Sequence, residues 1–331
     1  MTQTMKAAVL SQFGGADMFE IRDVPVPSVG PREVRVRVHA TSVNSLDYKI
    51  RRGDYADKVQ LPAITGHDVS GAIEEIGGDV TEFAVGDEVY YTPQIFGAQG
   101  SYAEKDVANV DLIARKPNNL SHEEAASLTL VGGTVWEAFV TRTQIQVGET
   151  VLVHGGAGGV GSIAIQMAKA MGARVFATAS RRDHDFVSGL GADLAIDYRT
   201  EDYVDIVNRV TDDIGVDVVF DTIGGDMLTR SPHVLAQMGR VVTLVDIPRP
   251  QNLIEAWGRN ASYHFVFTRQ NRGKLDALTH LLERGQVKPV IGATFPLERI
   301  GEAHAYLEAG STNGLRGKVV ITLNGHGNRA S

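Results

Sequence analysis

A glycine-rich turn carries the strongest chemical signal in this sequence. Within Val151-Leu152-Val153-His154-Gly155-Gly156-Ala157-Gly158-Gly159-Val160-Gly161, the spacing G-x-G-x-x-G falls on Gly156, Gly158 and Gly161. A β-branched run precedes it and an amphipathic stretch follows, the setting in which this pattern binds a dinucleotide. Gly156 is expected to permit the tight turn, Gly158 to let backbone N–H groups approach the pyrophosphate, and Gly161 to let helix pack closely on sheet. With Ala157, Gly159 and Val160 these residues form the predicted cofactor loop, where a helix N-terminus favours the anion.

The next strand of the pattern ends at Ala179 and runs into Ser180-Arg181-Arg182. An NAD-preferring site would carry Asp or Glu here for the ribose hydroxyls. A hydroxyl and guanidinium groups instead suit a 2′-phosphate, so the cofactor predicted is NADPH. The alternative is that the arginines only solvate the start of the following helix. Asp183 either caps that helix or weakens the phosphate preference by repulsion.

Composition narrows the chemistry further. The chain has 331 residues and no cysteine, which excludes disulfides, thiol nucleophiles and cysteine-ligated zinc. Its net charge is -8 and no basic run exceeds a pair, so neither nucleic acid nor an anionic membrane is an expected partner. No apolar stretch approaches the roughly 18 to 20 residues of a membrane span, and residues 1–6 lead into an apolar run without a signal-peptide pattern. The expected location is the cytoplasm.

The elements that must position these residues fall into two characters. Short strands over 6–10, 34–40, 69–76 and 88–91, broken by Gly-Pro, Gly-Gly and Gly-Asp turns, predict a β-rich barrel. Ser121-His122-Glu123-Glu124 matches a capping box and opens a segment rich in Ala, Leu and Val. From Val151 strands and helices alternate: 151–154, 174–179, 194–197, 216–221 and 241–245 as strands, with helices over 162–171, 183–190 and 203–211. Continuous apolar strands in that alternation predict a doubly wound parallel sheet, an α/β domain. Helices over 274–284 and 300–308 and strands over 291–295 and 318–323 are expected to return to the first domain, and residues 324–331 to fray. At this length two domains with a ligand cleft between them are the expectation.

The glycine core, with Val43-Asn44-Ser45-Leu46-Asp47, Gly66-His67-Asp68-Val69-Ser70-Gly71, Val85-Gly86-Asp87-Glu88-Val89, Gly100-Ser101-Tyr102-Ala103-Glu104, Leu190-Gly191-Ala192-Asp193 and Arg316-Gly317-Lys318-Val319-Val320, resembles the medium-chain dehydrogenase/reductase superfamily. The resemblance is to its zinc-free quinone oxidoreductase-like branch and covers nearly the whole chain. It implies a GroES-like β-rich catalytic domain plus a Rossmann domain, here residues 1–122, 123–265 and a return over 266–331. Zinc-dependent members hold the metal with a cysteine at the position resembling Asn44, a histidine resembling His67 and a cysteine near Leu130. Only the histidine is kept, so no metal site is expected.

Without a Lewis acid, reduction of an activated acceptor is favoured over alcohol oxidation. Hydride addition to a quinone or an α,β-unsaturated carbonyl (an enone or alkenal) places charge on an oxygen that a hydrogen-bond donor can stabilise. The resemblance puts donors in Asn44, Lys49 and Tyr55: Asn44 at the nicotinamide end, Lys49 as in enone and alkenal reductases, and Tyr55 as in quinone oxidoreductases. Lys49 ranks above Tyr55 because a cation stabilises an oxyanion more. The same resemblance assigns Asn44, Lys49, Thr134, Tyr198 and Arg316 to cofactor contacts and implies a homodimer formed along an edge strand over 263–267. The competing readings are a nucleotide-binding structural or NADPH-sensing protein with vestigial activity, as in lens crystallin relatives, and a zinc alcohol dehydrogenase.

Overall fold

The computed structural model of the chain describes residues 3–97, 99–245, 253–269 and 271–323. The expectation for residues 324–331 lies outside them. The described residues form two compact units: those within 1–130, 269–283 and 289–323 make up the first, and those within 131–268 and 284–288 the second.

The first unit is β-rich. Its larger sheet runs Ile291–Pro296, Lys318–Thr322, Glu33–Val43, Val69–Ile76, Glu88–Tyr91 and Ala114–Arg115, with Lys105–Asn109 also paired to Glu33–Val43. All its pairings are antiparallel except Ile291–Pro296 with Lys318–Thr322. A smaller sheet joins Phe19–Pro25, Thr4–Leu10 and Ala63–Ile64. The strand Lys318–Thr322 pairs with Glu33–Val43 and completes the sheet begun by the N-terminal strands. This is the GroES-like arrangement that the resemblance implies.

The second unit holds six parallel strands, numbered here within their sheet: β1 (Thr150–Val153), β2 (Arg174–Ala179), β3 (Leu194–Asp197), β4 (Val216–Asp221), β5 (Leu235–Thr243) and β6 (Ser262–Phe265). Their order is β3-β2-β1-β4-β5-β6, the doubly wound Rossmann order whose switch point lies beside β1. Leu152, Phe176, Ile196, Val219 and Val241, one from each of β1 to β5, share one core cluster with Tyr203 and Val207 of the helix Tyr203–Val210. Strands buried on both faces explain the continuous apolar runs. β5 begins earlier than the sequence suggests, because Gln237 and Gly239 interrupt its apolar run where the register with β4 shifts.

The helix Ser45–Arg52 was invisible to periodicity, since it contains only two aliphatic residues, Leu46 and Ile50. Its ends define it instead. The Asn44 backbone N–H donates to the Asp47 carboxylate at 2.7 Å, and Gly53, at φ 94°, closes the helix in a left-handed conformation that favours glycine. The capping box at Ser121 and Glu124 forms as its spacing predicts, and it starts the helix His122–Ala126. Among the described residues no helix is long and apolar enough to cross a membrane.

Candidate functional site

β1 ends at Val153, and the chain turns through His154 to Gly158 into the helix Gly159–Ala170. The left-handed residue of this turn is Gly155, at φ 77°, so the tight turn expected of Gly156 falls one residue earlier. Gly156 serves packing: a Cβ there would lie 3.0 Å from Ala177 Cβ and 3.1 Å from Ile165 Cδ1. Gly161 is tighter still, since its Cβ would lie 2.1 Å from the Gly155 carbonyl oxygen. Gly158 differs from both, because a Cβ there would meet only the Gly155 oxygen, at 3.4 Å. The helix N-terminus therefore presents its partnerless first-turn N–H groups beside an open surface at Gly158, the cradle a pyrophosphate requires.

The neighbouring strand ends place Ser180, Arg181 and Arg182 after β2 and Tyr198 after β3. Ser180 Oγ donates to Asp183 Oδ2 at 2.5 Å, which turns the buried Asp183 carboxylate inward. Asp183 makes no side-chain cap and also lies 3.5 Å from Arg182 Nε. Arg181 is exposed, with one amino group 3.3 Å from His184 Nδ1. Tyr198 is 51% exposed and lies under the Arg199 guanidinium, 5.7 Å from its ring centroid. The structure thus gathers the glycine turn, the Ser-Arg-Arg corner and Tyr198 at adjacent strand ends. Thr134 lies in the helix Thr129–Trp136. Arg316, in the first unit, is exposed ahead of its strand.

In the first unit the helix Ser45–Arg52 sorts its polar residues by face. Asp47, Ile50 and Arg51 point inward, while Lys49 is half-buried about 200° around the helix from Asp47. Tyr55 follows the helix, half-buried, with its ring 5.5 Å from that of Phe96. Asn44 is buried and braced on both sides: its Nδ2 donates to Asp68 Oδ2 at 2.7 Å, and its Oδ1 accepts from Lys318 Nζ. Asp68 also accepts from Ser42, Thr129 and the Leu130 backbone, the last at 2.7 Å. Lys318 was the residue sequence reasoning overlooked. A lysine at the head of the apolar strand Lys318–Thr322 was the available signal, since such a cation must find a partner when buried.

The histidine at the zinc-like position is already engaged. His67 Nδ1 pairs with Asp47 Oδ1 at 2.5 Å, and Nε2 lies 3.1 Å from the Ile95 carbonyl. Burial alone would lower the His67 pKa, but the adjacent Asp47 carboxylate outweighs it and raises the value. Burial likewise opposes Asp47 ionisation, and the His67 charge prevails and lowers its pKa. A protonated imidazole donates from both nitrogens in this setting. With Leu130 offering no side-chain donor atom and Asn44 held by Asp68 and Lys318, these residues do not fit a catalytic zinc.

Comparison with known proteins gives consistent results. Residues 30–120 match the family model "Alcohol dehydrogenase GroES-like domain", and residues 190–321 match "Zinc-binding dehydrogenase". The chain is 37% identical to an NADPH-dependent alkenal/one oxidoreductase of the chloroplast from Arabidopsis thaliana, across 96% of this chain and 79% of that protein. It is 31% identical to the quinone oxidoreductase of Homo sapiens, across 96% and 98%. The solved structure of the quinone oxidoreductase from Coxiella burnetii superimposes with a TM-score of 0.88 at 33% identity, covering 97% of this chain and all of that one.

Proposed function

The chain belongs to the medium-chain dehydrogenase/reductase superfamily, in its quinone and enone reductase branch, and on that premise we propose that it is a zinc-independent, NADPH-dependent reductase of quinones or α,β-unsaturated carbonyls. The observation that carries the proposal is the open surface at Gly158, with the exposed Arg181 following the end of the neighbouring strand β2. Bound NADPH would supply the hydride.

The chain's own part is binding and charge stabilisation. First-turn N–H groups at Gly159, Val160 and Gly161 receive the pyrophosphate, with Ala157 lining the loop and Thr134, Tyr198 and Arg316 as further cofactor contacts. Arg181 compensates the 2′-phosphate, with Arg182 beside it; the Ser180 hydroxyl, whose proton goes to Asp183, is left to accept from a ribose hydroxyl rather than to donate to the phosphate. Lys49 places an ammonium at the oxygen that becomes negative as hydride reaches the acceptor carbon, and solvent returns the proton. Asn44 braces the helix carrying Lys49, and Tyr55 is the second donor. The missing metal ligands and the engaged His67 support zinc independence. The edge strand β6, with Phe265 63% exposed, supports a homodimer through that edge.

The test is NADPH consumption against a panel of quinones, enones, alkenals and alcohols, for wild type and Lys49→Met. Wild type should consume NADPH with the first three classes. Lys49→Met should lower kcat for an enone by roughly 10²-fold or more with little change in NADPH affinity, and cost quinones less. An unchanged kcat for enones removes Lys49 from the mechanism.

A further inference from the structure

The turn that leads into the helix Gly159–Ala170 consists of Gly155, Gly156, Ala157 and Gly158, and glycine at three of four positions gives the backbone little preference of its own. What fixes the turn must therefore lie beside it. Two threonine hydroxyls meet at one peptide, that between His154 and Gly155. Its N–H donates to Thr178 Oγ1, in β2, at 3.1 Å, and its carbonyl accepts from Thr222 Oγ1, just after β4, at 2.7 Å. Because β2 and β4 flank β1, the peptide is held from both neighbouring strands. The Gly156 N–H also donates to the Thr178 carbonyl, at 2.9 Å, so Thr178 holds two successive N–H groups of the turn.

This hold is passed on to the helix N-terminus. Gly155, at φ 77°, turns its carbonyl to the Gly158 N–H at 3.1 Å, and Gly158 is the residue with open surface. Rotation of the His154–Gly155 peptide changes φ at Gly155, and with it the direction of the carbonyl on which Gly158 rests. Thr178 is only 4% exposed, so it acts on a ligand through the turn. Having accepted the Gly155 N–H, it keeps its own proton for His154 Nδ1, 3.4 Å away. Burial pushes the His154 pKa down to about 4, so near pH 7 the imidazole is neutral and able to accept.

We propose that Thr178 and Thr222 are positioning residues for the dinucleotide: from opposite sides they set the orientation of the His154–Gly155 peptide and so aim the first-turn N–H groups at the pyrophosphate. The proposal rests on the dinucleotide reading of the glycine turn and is independent of the acceptor. NADPH and NADH share the pyrophosphate, so the clamp acts on both, whereas Arg181 acts on NADPH alone.

The experiment is equilibrium binding of NADPH, NADH and adenosine 2′-monophosphate, which carries no pyrophosphate, to the full chain, with urea midpoints measured in parallel. Thr178→Val keeps the shape of the side chain and removes the hydroxyl; it should weaken NADPH and NADH alike, by roughly tenfold, and leave the monophosphate nearly unchanged. Thr178→Ser should restore the dinucleotide affinity. Thr222→Val releases the peptide from the other side and should weaken both dinucleotides in the same way, which keeps the test open should Thr178→Val fail to fold. Wild-type dinucleotide affinity in either folded valine variant, no recovery with serine, or equal weakening of the monophosphate overturns the proposal. A wild type that binds both dinucleotides and shows these losses, yet reduces no acceptor, leaves the clamp standing and defeats the reductase reading.

Discussion

Lys318 Nζ lies 3.5 Å from Asp68 Oδ2 with both side chains buried, so the strand Lys318–Thr322 is tied by charge to the residue that opens the strand Val69–Ile76. Four neutral donors, from Ser42, Asn44, Thr129 and Leu130, complete the Asp68 shell. Removing one member of a buried pair strands the other charge, at a cost of about 3–5 kcal/mol. Lys318→Met should therefore lower the urea midpoint sharply, and adding Asp68→Asn should recover much of the loss. A loss no greater than about 1 kcal/mol, the scale of an exposed pair, would show that the charges do not depend on each other.

The glycine turn separates binding from folding. Gly158→Val should give a folded protein that no longer binds NADPH or NADH, because the new side chain occupies open surface rather than packed interior. Gly161→Ala should instead destabilise the second unit, since its Cβ would lie 2.1 Å from a carbonyl oxygen. Tight NADPH binding by folded Gly158→Val, seen in fluorescence titration, would overturn the pyrophosphate assignment.

Cofactor preference should depend on Arg181, the exposed guanidinium beside Ser180. Arg181→Ala is expected to raise the KM for NADPH by roughly tenfold, the lower end for a charge-assisted hydrogen bond, and to leave that for NADH nearly unchanged. Equal effects on both cofactors would show that this residue does not read the phosphate.

Much of this architecture was legible in the sequence because burial leaves a period. β2, β3 and β4 match their apolar runs residue for residue. The positive-φ residue of the turn could not be read, since Gly155 and Gly156 are equivalent in the pattern until Ala177 and Ile165 are seen against the second. Nor could the inward turn of Asp183, which depends on where Ser180 points. Asp47 and His67 stand 20 positions apart, and Asn44 and Lys318 stand 274 apart; only the fold brings such pairs together. Spacing reveals periodic packing, whereas long-range polar pairs leave no local trace.

Asp106 predicts a pH dependence. Burial pushes its carboxyl up to about 7; Tyr91 donates to Oδ2 at 2.8 Å, while Oδ1 has no partner among the described residues. An unfolded aspartate titrates near 3.8, so between about 4 and 7 the folded chain holds a proton that the unfolded chain releases. This group's contribution to stability therefore falls as pH rises through that window and levels off above it. Urea midpoints from pH 5 to 8 should show a shallower decline in Asp106→Asn than in wild type, and parallel profiles would contradict the assignment.

Hydride delivery without a metal is tested most directly by isotope transfer. Chelator-treated protein, assayed for zinc, is given an aryl enone and NADPH deuterated at both C4 positions, and the product is analysed by mass spectrometry and NMR. The account predicts one deuterium at the β-carbon, a proton from solvent at the α-carbon, and a rate unchanged by chelation. Product without deuterium, or activity lost on chelation and restored by zinc, would contradict it.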